Sequence, residues 1–123
     1  MIQRFFSGQW QEVPVGHIGI VDVRDVSKMH LESITRPEAA NHRFISFSER
    51  MKNIDIARVF HEEFGSKGYE IPTKEAEGKH DRDALLTNKK ARDTFQMEFI
   101  SGKQAVLDMA HSLIAHGVIA PKQ

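Results

Sequence analysis

Hydrophobic side chains recur at intervals of three and four residues through much of the chain, which is the period of an amphipathic helix. Two stretches show this most clearly, one after Asn53 and one after Ser101. We predict a helix in each stretch, packed by its apolar face. The predicted inner faces are Ile56, Val59, Phe60 and Phe64 in the first helix, and Val106, Met109, Ala110, Leu113 and Ile114 in the second.

The ends of these two helices carry recognisable signals. Asn53 is the predicted N-cap of the first helix, and Gly65 ends it, because glycine adopts the left-handed conformation that helix ends often need. Ser101 and Gln104 form a capping-box pattern, in which each side chain satisfies the other residue's free backbone N–H. Gly117 is the predicted end of this second helix.

Three further helical segments are predicted. Residues 2–6 are a short apolar piece of the kind that ends a helix, and residues 88–95 form a small helix. Asp25 is the predicted N-cap of a helix that stops before Pro37, since the residue before a proline avoids helical angles. The predicted inner face of that helix is Val26, Met29, Ser33 and Ile34.

Stretches rich in β-branched and aromatic residues predict strands at 18–23, 43–47 and 69–71. Residues 73–83 are polar and charged and are predicted to form a mobile surface loop. Because strands alternate with helices, the predicted fold class is α/β, with few short strands and about four helices. So few strands fall short of what a self-contained doubly wound sheet needs.

Composition narrows the classes of function. The 123 residues, 14.0 kDa, predict a single domain over 1–123. Lys plus Arg and Asp plus Glu both total 17, so no net charge attracts nucleic acid or membrane surfaces, and neither is expected as a partner. The chain has no cysteine, which excludes disulfides, Cys-ligated metals and thiol nucleophiles, and fits a cytoplasmic location. No apolar run is long enough to span a bilayer.

The seven histidines do not have the spacing of metal ligands. His111 and His116 are about 140° apart around a helix, so they do not share a face. His61 is followed by two glutamates but lacks the second histidine of the zincin helix. We therefore predict no metal site.

Two other features have both a functional and a structural interpretation. Asp22, Arg24 and Asp25 are either a carboxylate pair for acid–base work or cation binding, or a cap with an ion pair where a strand meets a helix. The second interpretation is favoured. Trp10, the single tryptophan, lies in a turn-rich segment and either forms a pocket wall or fills the core.

Several strings occur along the chain in a specific order. They are Val-Asp-Val-Arg-Asp-Val at 21–26, Pro-Glu-Ala-Ala at 37–40, Arg-Phe-Ile at 43–45, Gly-Tyr-Glu-Ile-Pro-Thr at 68–73, and Leu-Asp-Met-Ala-His-Ser-Leu-Ile at 107–114. Together they resemble the C-terminal half of extended short-chain dehydrogenases/reductases, a family that includes NAD-dependent epimerases/dehydratases. The most similar subgroup is that of dihydroflavonol-reductase-like, NADPH-dependent carbonyl reductases. The resemblance covers essentially the whole chain.

The resemblance implies a partial Rossmann-type fold and the substrate-binding C-terminal portion of an oxidoreductase acting on carbonyl or CH–OH groups. Full-length members of the family use NADP(H) or NAD(H), bound by an N-terminal part with a glycine-rich turn. Here Gly65 and Gly68 are the nearest glycine pair, and they do not form that pattern. The family's catalytic Tyr–Lys pair is also absent, since Tyr69 is the single tyrosine and Thr73 follows four residues later. We therefore expect that this chain lacks the NAD(P)-binding part, that it binds no cofactor alone, and that it contains no catalytic residue.

Nucleotide-sugar epimerases resemble the same segment but carry Arg-Asp-Phe where this chain has Ile18, Gly19 and Ile20. Because apolar side chains cannot pair with a diphosphate, we expect a small carbonyl or alcohol substrate of apolar or aromatic character. Trp10, Ile18 and Gly19 are the predicted substrate-binding residues. Two alternatives stay open. One is a free-standing interaction module, or truncated non-enzymatic relative, that self-associates through an exposed apolar face. The other is an unrelated small α/β domain.

Overall fold

The structure, a computed structural model, describes residues 1–80 and 85–121. In these ranges five α-helices accompany a two-stranded antiparallel sheet, which confirms the predicted α/β class. Short 3₁₀ turns follow α2 at Pro37–Ala39 and α3 at Gly65–Lys67. The helices are α1 (Ile2–Phe6), α2 (Val23–Thr35), α3 (Asn53–Phe64), α4 (Lys89–Phe95) and α5 (Gly102–Ala115), and the strands are β1 (His17–Ile20) and β2 (Glu49–Lys52).

The main core forms where α1, α3 and α5 pack together against the sheet. The predicted stripe of α3 is confirmed, since Ile56, Phe60 and Phe64 are buried and Val59 packs against them. Phe60 lies at the centre of an aromatic cluster, with its ring centroid 5.5 Å from that of Phe5. Edge-to-face aromatic packing of this kind is favourable beyond the area it buries.

A second, smaller core lies between α2 and α4, and we call it the second cluster. The rings of Phe44 and Phe95 are 4.5 Å apart at its edge. The predicted inner face of α2 is right at Met29 but wrong at Ile34, which is 83% exposed. Relative to the predicted orientation, the helix is rotated about its axis, so that Asp25 faces inward together with Met29 and Ile34 faces outward. The buried members of the second cluster are Met29, Ala39, Ala91, Phe95 and Met97.

The junction between β1 and α2 differs from the prediction by three residues. Asp22, not Asp25, is the N-cap of α2, and its carboxylate accepts a hydrogen bond from the Arg24 backbone N–H at 2.9 Å. The predicted strand therefore ends at Ile20 instead of Val23, because the chain turns into the helix at its cap.

Two predicted strands are wrong. Residues 43–47 and 69–71 belong to no strand. The strand that pairs with β1 is β2, which begins shortly after the first of these segments. Strand composition alone does not form a ladder, since a strand needs a neighbouring strand for its backbone groups. Neither segment has such a neighbour among the described residues.

The ends of α3 are also set differently from the prediction. Asn53 is the first residue of the helix and Lys52 its N-cap, while the Asn53 side-chain amide donates to the Pro14 carbonyl at 2.9 Å. Gly65 keeps a right-handed conformation with φ of −57°, because the chain continues into a 3₁₀ turn. Gly68, at φ +84°, is the left-handed residue that ends the whole unit.

The signals of α5 are largely confirmed. Ser101 Oγ accepts a hydrogen bond from the Gln104 N–H at 3.2 Å, and Gly117 has φ of +71° after the helix. The reciprocal half of the capping box is missing, since the Gln104 side chain donates to Asp108 at 2.6 Å. Met109, predicted on the inner face, is 53% exposed.

Part of the predicted loop at 73–83 lies outside the described residues, from 81 onward. Its described part meets the N-terminal region through a parallel bridge between Val13 and Glu75, in which the Ala76 N–H donates to the Val13 carbonyl at 2.9 Å. Within the described ranges, no helix is both long and apolar enough to cross a membrane.

Candidate functional site

Trp10 is placed by the turn that follows α1. Gly8 adopts φ of +69°, a conformation that glycine reaches without strain, and the chain then folds back over the helix. The indole packs edge-on against Phe5, with the ring centroids 5.0 Å apart. Trp10 is only partly buried, so it fills part of the core with one side and leaves the other side accessible. Both interpretations of Trp10 from the sequence therefore describe a part of its surroundings.

The accessible side of Trp10 borders a shallow cleft of ≈ 330 Å³, which we call the Trp10 cleft. Its far wall is the segment after Gly68, and α3 contributes one exposed histidine. Apolar rings and a proline alternate with amide, imidazole and carboxylate groups. Such a lining suits a small molecule with an apolar body and one polar group. The lining residues are Gly8, Trp10, Gln11, His61, Tyr69, Glu70, Ile71 and Pro72.

Ile18 and Gly19 lie outside this cleft, in the middle of β1. Ile18 is partly buried against the main core and pairs with Met51 of β2. Gly19 is exposed, and a Cβ placed there would lie 3.5 Å from the Phe47 ring, an ordinary contact. The structure therefore does not bring the three predicted substrate-binding residues together into one cleft.

The polar group at the start of α2 is a connected ion network. The Arg24 guanidinium donates to both carboxylate oxygens of Asp22, at 2.8 and 2.7 Å, and to Asp108 of α5 at 2.6 Å. Hydrogen bonds from Arg24 hold the pKa of Asp22 and the pKa of Asp108 below the usual range of a carboxyl group. The two carboxylates in turn raise the pKa of the Arg24 guanidinium.

Asp25 is buried beside this network and has a structural partner. Its Oδ2 accepts a hydrogen bond from the Ile100 N–H at 2.8 Å, just before α5 begins. Asp22 caps α2, and Asp25 ties α2 to the segment before α5. This geometry is a cap with ion pairs, as the favoured interpretation predicted, although the cap is Asp22.

A second cleft of ≈ 380 Å³ lies where α4 and α5 begin, and sequence reasoning missed it. Three of its polar side chains make hydrogen bonds that stabilise the fold. Asn88 Nδ2 donates to the Phe47 carbonyl at 2.8 Å, Ser48 Oγ donates to the Ile100 carbonyl at 2.6 Å, and Glu49 accepts from the Gly102 N–H. Helix-start residues at 88 and 101 were visible in the sequence, but nothing there shows that the two starts are neighbours.

The described residues contain no cluster of three or more His, Cys, Asp or Glu side chains that could hold a metal ion. The rings of His17 and His80 are 5.1 Å apart, and His80 Nε2 lies 3.4 Å from a Glu75 carboxylate oxygen. These three side chains are neighbours without the geometry of a metal centre.

No protein-family model and no curated protein matches the sequence. Among solved structures, the chain is similar to yeast methylglyoxal/isovaleraldehyde reductase Gre2, solved with NADPH, with a TM-score of 0.77 and 24% identity. This similarity covers 96% of the chain and 40% of the reductase. Gre2 from Candida albicans has a TM-score of 0.74 and 21% identity, with 94% of this chain and 36% of that one covered. The chain thus spans about two-fifths of the length of these reductases, and it has the fold of the part that it matches.

Proposed function

We propose that residues 1–123 form the C-terminal, substrate-binding portion of an NADPH-dependent reductase that acts on small apolar carbonyl compounds and the corresponding alcohols. The observation that carries this proposal is the fold, since almost the whole chain superposes on two-fifths of a reductase of isovaleraldehyde and methylglyoxal. The dihydroflavonol-reductase-like subgroup is the finer assignment that the ordered strings support.

The residues of the chain do not fit NADPH itself. The glycine pair Gly65 and Gly68 lies at the C-terminal end of α3, where backbone carbonyls point outward. That end of a helix carries partial negative charge, whereas a pyrophosphate needs the N-terminal end. The Tyr69 ring packs edge-on against Phe6 and Phe64, at 5.6 and 5.9 Å, and the residue four positions after this single tyrosine is Thr73 and not a lysine. Hydride transfer is therefore assigned to protein outside this chain.

We expect the isolated chain to leave NADPH unoxidised in the presence of isovaleraldehyde or methylglyoxal. The physical reason is that the glycine pair Gly65 and Gly68 lies at the end of α3 that repels a pyrophosphate, and that Tyr69 is not followed four residues later by a lysine. The measurement is the absorbance of the reduced nicotinamide over time, with a complete carbonyl reductase as the positive control. Steady oxidation above the enzyme-free rate would contradict the proposal.

We further propose that the Trp10 cleft is the part of the substrate-binding pocket that this chain contributes. An aliphatic chain would lie against the exposed side of the indole, and Gln11 or His61 would face its oxygen. Ile18 and Gly19 stay predicted substrate residues for the side of the substrate that faces β1. Desolvation of the apolar body would supply most of the affinity.

A single tryptophan makes this proposal directly measurable. We expect saturable quenching of Trp10 fluorescence on titration with isoamyl alcohol, which does not form Schiff bases with lysine as the aldehyde does. His61→Ala should shift the midpoint several-fold, because it changes the cleft wall. His116→Ala is the matched control, because His116 is also exposed but lies outside the cleft, and it should leave the midpoint unchanged. Quenching that rises linearly with alcohol concentration would show that no saturable binding occurs near Trp10. Equal shifts of the midpoint in both variants would show that the ligand does not bind in the cleft.

Two lesser assignments complete the proposal. The lack of cysteine supports a location in the reducing cytoplasm. Exposed apolar side chains such as Ile34 and Ile45 support self-association of the chain.

A further inference from the structure

The charge of the Trp10 cleft comes from one carboxylate. Glu70 is exposed on the segment that forms the far wall, and it is the one acidic residue among the described residues that line the cleft. No lysine or arginine is among those lining residues. Within the described lining, a ligand therefore meets a negative charge and no permanent positive charge.

The two lysines that flank this wall along the chain are engaged by other carboxylates. Lys67 Nζ donates to a Glu63 carboxylate oxygen at 2.6 Å and lies 5.4 Å from the centroid of the Phe64 ring. Lys74 makes an ion pair with Glu12. Because each of these ammonium groups already has a carboxylate partner, neither is available to hold an anionic ligand.

The aromatic rings of the cleft favour the same sign of charge in a ligand. Trp10 and Tyr69 both line the cleft and are half-buried, with one part of each ring packed on the phenylalanines of the main core. The face of an aromatic ring carries partial negative charge and attracts an organic cation, and an indole does so most strongly. Aromatic rings next to a carboxylate are the chemistry that recognises an alkylammonium group.

We propose that the Trp10 cleft selects its ligand by charge and binds an organic ammonium group through Glu70 and the rings of Trp10 and Tyr69. The substrate class is thereby narrowed to carbonyl compounds and alcohols that carry an amino group on an apolar body, and oxo acids are disfavoured. This inference rests on the proposed function, because it takes the cleft to be the site of the substrate.

The proposal does not require that Glu70 has no other partner. A carboxylate has about four acceptor positions on its two oxygens, so it can bind an ammonium group and a second donor together. His61 is the group of the described lining that could oppose the preference, because histidine gains positive charge on acidification. The measurement is therefore made at pH 8, where histidine is ordinarily neutral and an alkylamine is protonated.

The test compares three ligands that share one branched carbon skeleton: isoamylamine, isoamyl alcohol and isovalerate, which are a cation, a neutral molecule and an anion at pH 8. Quenching of Trp10 fluorescence in the 123-residue chain gives a midpoint for each ligand. We expect the amine midpoint at least about threefold below that of the alcohol, and the isovalerate midpoint at least about threefold above it. Added salt should reduce both differences, because it screens exposed charges.

Glu70→Gln removes the charge and keeps the shape of the side chain. In this variant we expect the isovalerate midpoint to approach that of the alcohol and the advantage of the amine to decrease, while the alcohol midpoint stays unchanged. Glu98→Gln is the matched control, since it makes the same change at an exposed glutamate outside the cleft, and it should leave all three midpoints unchanged. Far-UV circular dichroism checks the fold of both variants.

Equal midpoints for the amine and the alcohol, or an isovalerate midpoint at or below that of the alcohol, would overturn the inference and leave the cleft as an alcohol site. Equal changes in Glu70→Gln and Glu98→Gln would also overturn it, because the cause would then be the net charge of the chain. If a variant unfolds, the order of the three midpoints in the wild type decides alone. Saturable quenching by none of the three ligands would overturn both the inference and the assignment of the cleft to the substrate.

Discussion

Phe60→Ala is expected to lower the free energy of unfolding by about 3–5 kcal/mol and the melting temperature by more than about 10 °C. Phe60 is fully buried, and its ring contacts those of Phe5 and Phe6 at centroid distances of 5.5 and 5.0 Å. Truncation leaves a cavity that three helices would have to close together. Because a domain of this size has about 5–15 kcal/mol of stability in total, the variant would be close to unfolding.

The measurement for Phe60→Ala is urea denaturation followed by circular dichroism, which gives the free energy of unfolding by extrapolation. Leu31→Ala is the matched control, since Leu31 is 59% exposed on α2 and should change stability by less than about 0.5 kcal/mol. A loss below about 1 kcal/mol for Phe60→Ala would show that α1 and α3 do not pack as described.

Asp22→Ala is expected to have the second largest effect. The substitution removes the N-cap of α2, which costs about 1–2 kcal/mol, and also the partner that holds Arg24. Asp22→Asn separates the two contributions, because asparagine is as good a cap as aspartate but carries no charge. We expect the asparagine variant to lie between the wild type and the alanine variant at neutral pH.

The pH dependence of Asp22→Asn follows from the direction of the pKa shift. Hydrogen bonds from Arg24 hold the pKa of Asp22 below its usual value in the folded chain, whereas in the unfolded chain the pKa is about 3.9. A depressed carboxyl pKa stabilises the fold above the unfolded value, and this stabilisation is lost as the pH falls through the folded value. The difference in the free energy of unfolding between wild type and Asp22→Asn should therefore have its largest value near neutral pH and should decrease below about pH 4.

Denaturation curves of both proteins at several pH values between about 7 and 3 provide the check. Asp108, whose pKa is also held low by Arg24, contributes to the acid sensitivity of the wild type and of Asp22→Asn alike. A stability difference that stays constant down to about pH 3 would show that Asp22 and Arg24 do not interact in solution.

Helices were the part of the fold that local sequence predicted well. The stripe of α3 and the Ser101 cap of α5 depend on residues within one or two turns of each other, so their signals are complete in a short window. The errors at helix ends have the same origin. Asp22 and Asp25 are equally good caps by type, and in the structure Asp22 caps the helix while Asp25 accepts a hydrogen bond from the distant Ile100 N–H.

Strands were predicted less well, because a strand depends on a partner that is distant along the chain. Residues 43–47 have better strand composition than Glu49–Lys52, yet the latter pair with β1 and the former do not. The register is limited by where β1 ends, and β1 ends where α2 is capped. No local pattern contains that information.

In the candidate site, too, some features followed from local sequence and others only from the tertiary structure. Trp10 was singled out from the sequence, and the structure gives it a cleft, but Ile18 and Gly19 lie on another part of the surface. Their grouping came from proximity in sequence around one predicted strand. His61 and Tyr69 of the cleft carried no signal of their own, since they approach Trp10 only through the folding of α3 and the segment after it.

From its order of residues alone, this chain specified its α/β class, its helices and the buried stripe of α3, and a resemblance to reductases that the fold comparison supports. These properties come from interactions between residues that are near one another along the chain. Folding in three dimensions determined which strand found a partner, that Ile34 faces solvent, and which residues surround Trp10. Those outcomes depend on contacts between distant segments, which compete for the same hydrogen bonds and the same buried space.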